Sequence, residues 1–246
     1  MFEYKPRELN YSKIKTYKEC PYLFEQKYVK GIREGLVAAS SLGVSVHRTL
    51  EAYHSTKSFN GILKFYNKYF LSAGYQSAQE QMEYYLKGKE MLQTYALKDQ
   101  ERKSEIFSTE KEFIFDYKEW TIRGKIDRID KIDQDTWEVI DYKTDLEPPS
   151  DFKAKDSLQL GIYSVGAKKY WNMKKGSASI YFVSNNTKVS ADFKDFNEEE
   201  ILETFITTGE LILKEEFEPN LNHCADCLLK NRCPHSSARE DKEGTL

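Results

Sequence analysis

The sequence changes texture at Ser108, and that boundary constrains the fold more than any other feature. Before it, VSVHRTLEAYH from Val44 to about Lys57 places its apolar residues at helical spacing. A proline-free stretch rich in Leu, Glu, Gln, Lys and Tyr continues that pattern to about Asp99. After the boundary, EKEFIFDY, WTIRGKIDRIDKI and TWEVIDYKT alternate apolar with polar residues or carry β-branched and aromatic runs. Turn-like YKE and DQD separate them, so a three-stranded antiparallel meander is expected.

The rest of the chain fits around this core. LEPPSD ends the third strand, a helix is expected from about Phe152 to Trp171, and strands SASIYFVS and KVSADFK follow around an NNT turn. A last amphipathic helix runs from Asn197 to about Glu215. Near the start, Ser12 can cap a helix from Lys13 to about Glu19, Pro21 can open a second, and GIREGLVAASSLG reads as a loop. Helices flanking a mixed central sheet make the fold class α/β. We expect one domain over residues 1–246, with a helical region at 44–107, a sheet core at 108–195 and a cysteine-bearing segment at 217–236. There is no internal repeat or low-complexity linker, and the acidic end REDKEGTL should fray.

Composition excludes several classes. With 39% hydrophobic and 31% charged residues the chain reads as soluble and globular. No run of eighteen or more apolar residues occurs, so no membrane span is expected. MFEYKPRELN lacks the layout of a signal peptide, which makes a cytoplasmic location the expectation. The net charge of -3 decides nothing about nucleic acid, because binding follows the local field. Basic residues are dense at Lys13, Lys15, Lys18, Lys27, Lys30 and Arg33, and again at Arg123, Lys125, Arg128 and Lys131, where ordinary solvated surface is the plain expectation. The 17 tyrosines and 14 phenylalanines exceed what a plain core needs; some can stack on unpaired bases while most pack inside.

Two groups of residues carry chemistry. On a strand, i and i+2 share a face, so Asp141 and Lys143 of IDYKT emerge together and Asp127 of GKIDRID can sit beside them. Two carboxylates and a lysine on one face suit a divalent cation, with Mg2+ or Mn2+ the natural choice for oxygen ligands. His47 lies on a helix after a glycine-bearing loop, and Gln159 and Tyr163 share a helix face at i, i+4. The second group is Cys224, Cys227 and Cys233, spaced C-x2-C-x5-C, with Cys20 alone near the start. Disulfides do not persist in a reducing cytoplasm, so crowded thiols suggest a metal site. Four thiolates suit a [4Fe-4S] cluster, and tetrahedral Zn2+ accepts the same set.

The motifs G-x-x-V-H (Gly43 to His47), G-x-I-D-R (Gly124 to Arg128), I-D-Y-K-T (Ile140 to Thr144) and Q-L-x-x-Y (Gln159 to Tyr163) stand in an order that resembles the RecB-like branch of the PD-(D/E)xK nucleases. The opening Y-S-x-I-x-x-Y-x-x-C-P, Tyr11 to Pro21, resembles that branch too, so the likeness runs from about residue 11 to 235. It implies a restriction-endonuclease-like core with a helical N-terminal insertion. It also implies a Mg2+- or Mn2+-dependent DNA nuclease, commonly an exonuclease on single-stranded ends. By the same resemblance His47, Asp127, Asp141 and the carbonyl of Tyr142 are metal ligands, Lys143 is the catalytic lysine, and Gln159 and Tyr163 support it and contact DNA.

Cys20 together with C-x2-C-x5-C resembles the iron-sulfur staple of AddB-type nucleases and of the CRISPR nucleases that process new spacers. A [4Fe-4S] cluster is therefore implied over zinc, tying the two ends of the chain together. The chain has no G-x4-G-K-[ST] segment and so no ATP motor of its own, which leaves a helicase or recombination protein as a candidate partner. Three alternatives stand beside this reading: a CRISPR spacer-adaptation nuclease, a DNA-binding scaffold that has lost cleavage, and a zinc-stabilised interaction module.

Overall fold

In the computed structural model the described residues are 7–56, 61–144, 148 and 150–239. Lys57, Leu146, Glu147 and Pro149 of the expected elements, the first six residues and the acidic end from residue 240 lie outside them. In chain order the elements are β1 (Glu8–Leu9), α1 (Tyr11–Glu19), α2 (Pro21–Phe24), α3 (Ala38–Ser55), α4 (Ile62–Tyr69), α5 (Ala78–Asp99), β2 (Glu105–Tyr117), β3 (Trp120–Lys131), β4 (Thr136–Lys143), α6 (Leu158–Trp171), β5 (Lys175–Phe182), β6 (Thr187–Asp192) and α7 (Glu198–Leu213). None of the described helices is long and apolar enough to cross a membrane.

Local chemistry explains where the boundaries differ from expectation. The cap of α1 is Asn10 rather than Ser12; its side chain accepts from Lys13 N at 2.9 Å, which starts the helix two residues earlier. The second half of the expected GIREGLVAASSLG loop is helical, because Ser40 Oγ accepts from Val37 N at 3.1 Å and closes the first turn of α3 at Ala38. Helix α6 begins at Leu158, later than Phe152, where Ser157 Oγ accepts from Leu160 N at 3.3 Å. Strand β1 was not expected, since two residues carry no periodicity.

The chain divides into two compact units. The larger comprises residues 36–115 and 123–201. Here β4 runs antiparallel to β3 and parallel to β5, β6 is antiparallel to β5, and β2 pairs with β3, giving a mixed sheet. The β4–β5 crossover is helix α6, as a parallel connection demands. Both faces of β4 are covered, so Glu138 to Tyr142 are all buried, two carboxylates among them. Ile140 and Tyr142 pack with Leu42, Val46, Leu50 and Leu92 of α3 and α5. Asp141 and Lys143 alternate to the other side, where Gln159 of α6 reaches Asp141.

The height of α6 over the sheet is set by one ring. Phe113 of β2 is 1% exposed and occupies space that side chains at Gly124 of β3 and Gly166 of α6 would need. A β-carbon at Gly166 would stand 2.7 Å from three atoms of that ring. The same ring meets Tyr163 edge-on at 6.2 Å, so it also fixes the helix face that bears Gln159 and Tyr163.

The smaller unit comprises residues 1–35, 116–122 and 202–246. Strand β1 pairs in parallel with the start of β3, Glu8 with Thr121 and Leu9 with Ile122. Trp120 is buried against Gly209 of α7, where a β-carbon would come within 2.7 Å of Cη2. The C-terminal segment is tied to α1 by two long-range bonds: Tyr17 Oη donates to Glu216 O at 2.6 Å and Asn220 Nδ2 to Glu19 O at 2.8 Å.

Replacing Gly166 with Ala should lower stability by about 1–3 kcal/mol, because the Phe113 ring has no room to give. Urea denaturation should show a lower midpoint at unchanged slope, and a midpoint equal to the parent's would refute this account of the α6 seat.

Candidate active site

The side chains expected to act together lie in the larger unit, around the end of β4. Helix α3 presents His47, Glu51 and His54 at i, i+4 and i+7, one face of a helix. Register pairs Arg128 with Ile140, and one step further along the ladder Asp127 falls across from Asp141. Asp127 Oδ2 accepts from Tyr142 N at 2.7 Å and lies 3.4 Å from His47 Nδ1. Asp141 is buried with both oxygens engaged, Oδ1 accepting from Gln159 Nε2 and Oδ2 pairing with Lys143 Nζ, each at 2.7 Å. Gln159 Nε2 also donates to Tyr163 Oη at 3.1 Å. The structure thus brings together His47, Asp127, Asp141, Tyr142, Lys143, Gln159 and Tyr163.

A second, fully buried network lies beneath them. Arg128 Nη1 donates to Tyr95 Oη at 2.7 Å and to Tyr142 Oη at 2.8 Å. Its Nη2 donates to Asp130 Oδ2 at 3.0 Å, which also accepts from Ser104 Oγ at 2.6 Å. His54 Nε2 stands 2.7 Å from Tyr95 Oη, and burial, then the charges of Arg128 and Arg102, push its pKa down to about 2. His54 is therefore neutral and serves as a hydrogen-bonding group. Arg128 and Lys13 correct the expectation of solvated basic stretches: both are buried, and Lys13 Nζ donates to Glu8 O at 2.6 Å.

Electrostatics mark the upper site as short of positive charge. Burial raises the Asp141 carboxyl, and the neighbouring Asp127 charge raises it further against the pull of Lys143. For His47 burial favours the neutral ring, but the hydrogen bond and charge of Asp127, with Asp141 behind, outweigh it and raise the pKa. Buried carboxylates held near one another, with an imidazole beside them, fit a divalent cation that prefers oxygen with some nitrogen.

One residue had no motif to announce it. Glu110 of β2 brings a carboxylate oxygen into a set with His47 and Asp127 whose ligand atoms lie within 4.8 Å of one another. In the sequence it resembles Glu105 or Glu112 of the same strand, and no spacing separates it from them.

The cysteines belong to the smaller unit. Cys20, Cys224, Cys227 and Cys233 carry free thiols and line one cavity of about 90 Å³, together with Leu23 and Leu229. Cys20 Sγ accepts from Asn220 N at 3.4 Å. Hydrogen bonds from the backbone and then the hydroxyl of Ser237 lower the Cys224 pKa, while burial raises that of Cys227. Among the described residues no three of these sulfurs lie within 4.8 Å of one another.

With this geometry in place, comparison with known proteins identifies the class. The family model of the PD-(D/E)XK nuclease superfamily matches residues 8–234, and the chain belongs to that superfamily. The mixed sheet flanked by helices is consistent with its restriction-endonuclease-like core. Among solved structures, the chain is similar to a "Putative exonuclease" from Eubacterium rectale at 13% identity, with a TM-score of 0.52 over 98% of this chain and 91% of that one. A structure of SSO0001 aligns at 16% identity over 91% of this chain and 94% of that one, with a TM-score of 0.38. Among curated proteins none matches.

The raised pKa values of Asp141 and His47 give a pH dependence of definite sign. Both groups bind protons more readily folded than unfolded, so their protonation stabilises the cation-free fold at low pH. That contribution is lost as pH rises from about 4, where a free Asp titrates, through and beyond about 6.5, where a free His does. A cation competes with those protons. Mn2+ should therefore raise the melting temperature more at pH 7.5 than at pH 5, and an equal rise at both would contradict this assignment.

Proposed function

We propose that this chain hydrolyses phosphodiester bonds in DNA with Mg2+ or Mn2+, as a RecB-like exonuclease acting on single-stranded ends. The observation that carries the proposal is that His47 meets Asp127 while Lys143 and Gln159 meet Asp141, with the two aspartates across from each other on adjacent strands, in a member of a nuclease superfamily. His47, Asp127, Asp141 and the Tyr142 carbonyl would hold the cation. A divalent cation supplies Lewis-acid polarisation of a phosphoryl group and makes water a better nucleophile near neutral pH.

The chain's own groups do the rest. Lys143, paired with Asp141, carries an ammonium that can orient the attacking water or offset charge developing on the phosphoryl oxygens. Gln159 spends its amide on Asp141 and Tyr163, holding the carboxylate in one rotamer so that it meets the cation without reorganising. Tyr142 N–H orients Asp127 in the same way.

The four cysteines are proposed to hold a [4Fe-4S] cluster with a structural role. Support comes from four free thiols that line one cavity, a donor set that a cluster and tetrahedral zinc both accept. By analogy with a disulfide, closing about 200 residues in this way contributes roughly 5 kcal/mol.

Two experiments test these readings. End-labelled single- and double-stranded DNA should be digested with Mn2+ or Mg2+ but not in EDTA, and Lys143→Ala should lower the rate about 100- to 1,000-fold. Cation-dependent digestion that survives the lysine change contradicts the mechanism. Cys224→Ala should lose brown absorbance and melt at lower temperature; a variant keeping both, or a colourless parent with one zinc per chain, overturns the cluster.

A further inference from the structure

Glu110 stands out in the larger unit on two independent grounds. Its backbone has φ 50°, the left-handed region, in the middle of a strand where a non-glycine residue rarely adopts it. Its carboxylate approaches His47 and Asp127, two groups already assigned to the cation. The Glu110 side chain is largely buried and pairs with Lys125, whose side chain is about half exposed. Asp127 and Glu51 lie close enough to repel its charge. A carboxylate with no function would do better on the open side of β2, clear of both.

We propose that Glu110 is a cation ligand, forming with His47 and Asp127 one position for a divalent ion and exchanging Lys125 for it. This rests on the reading of His47 and Asp127 given above. Glu110 thus adds a donor from β2 to those proposed on α3, β3 and the D-x-K strand. Two carboxylates and an imidazole are a mixed donor set, which takes Mn2+ in preference to Mg2+. Lys125 acts as the internal counter-ion while no cation is bound, and its exposed stem lets it swing into solvent when one arrives.

The experiment is Mn2+ titration of the whole chain without DNA, followed by calorimetry and by the paramagnetic resonance of free Mn2+. Glu110→Gln should weaken Mn2+ binding about 10- to 100-fold, the range for a lost ligand support. Lys125→Met should tighten it several-fold, and that gain should vanish in the double variant. If Glu110 served only as a surface ion-pair partner, Glu110→Gln would leave Mn2+ affinity unchanged and the Lys125→Met gain would persist in the double variant; either result overturns the proposal. Asp127→Asn is the control. If it abolishes binding while Glu110→Gln does not, this inference alone fails; if neither weakens binding, the assignment of the cation site fails with it. Should Glu110→Gln not fold, Lys125→Met still decides, because unchanged or weaker Mn2+ binding in that variant rules the exchange out.

Discussion

A guanidinium buried in the middle of a sheet is a severe constraint, and Arg128 imposes it here. At 5% exposure the ion has left water, a transfer that costs several kcal/mol unless every donor is met. Asp130 accepts from Nη2 and stands beside Nε as an ion pair at 2.9 Å without a hydrogen bond to it, while the phenols of Tyr95 and Tyr142 meet Nη1. Each of those partners is itself held in place: Asp130 by Ser104, Tyr95 by His54, and Tyr142 by Tyr95 and His54. Such a set is worth little as stability against an apolar core of the same volume. Its consequence is geometric. Tyr142 can occupy only one place, and the same residue lends its backbone N–H to Asp127.

The alternation of β4 turns that constraint into an active site. Odd residues Asp141 and Lys143 face α6, while even residues Ile140 and Tyr142 face α3 and α5. One strand therefore joins a rigid, charge-balanced network on one side to a reactive, charge-deficient set on the other. The two sets differ in their titration. Below, burial and positive neighbours hold His54 neutral and make it a passive acceptor. Above, burial and then the Asp127 charge raise Asp141, while Asp127 and Asp141 raise His47 against its burial. The same residue type, histidine on one helix face seven residues apart, takes opposite roles because of the sign of the charge beside it.

This contrast also explains what could be read from the chain alone. IDYKT and GKIDR were legible because strand alternation and short-range order fix which side chains emerge together. Q-L-x-x-Y was legible because i, i+4 on a helix does the same. The α/β class and the order of the elements followed from periodicity that spans eight or more residues. Glu110 was not legible, because its place depends on the β2–β3 pairing and on a left-handed backbone that no local pattern encodes. Nor was the burial of Arg128: a basic residue between Asp127 and Asp130 looks solvated until the tyrosines that receive it are known, and those come from positions 95 and 142. The start of α3 was missed for a smaller reason, the hydroxyl of Ser40 acting as its own terminus.

Without a cation the upper site keeps its carboxylates tolerable by pairing them with lysines from their own neighbourhood. Lys143 serves Asp141 and Lys125 serves Glu110. The two differ in exposure, 33% for the first and 52% for the second, so they differ in how readily they let go. The more buried lysine stays beside the carboxylate of its own strand, where an ammonium near developing charge is useful. The more exposed one can leave more readily, because half of its side chain is already in solvent. A site built this way folds before it binds a cation, because its charges are provisionally balanced. Under the proposed exchange it would bind without unfolding anything, because Lys125 is already half in water.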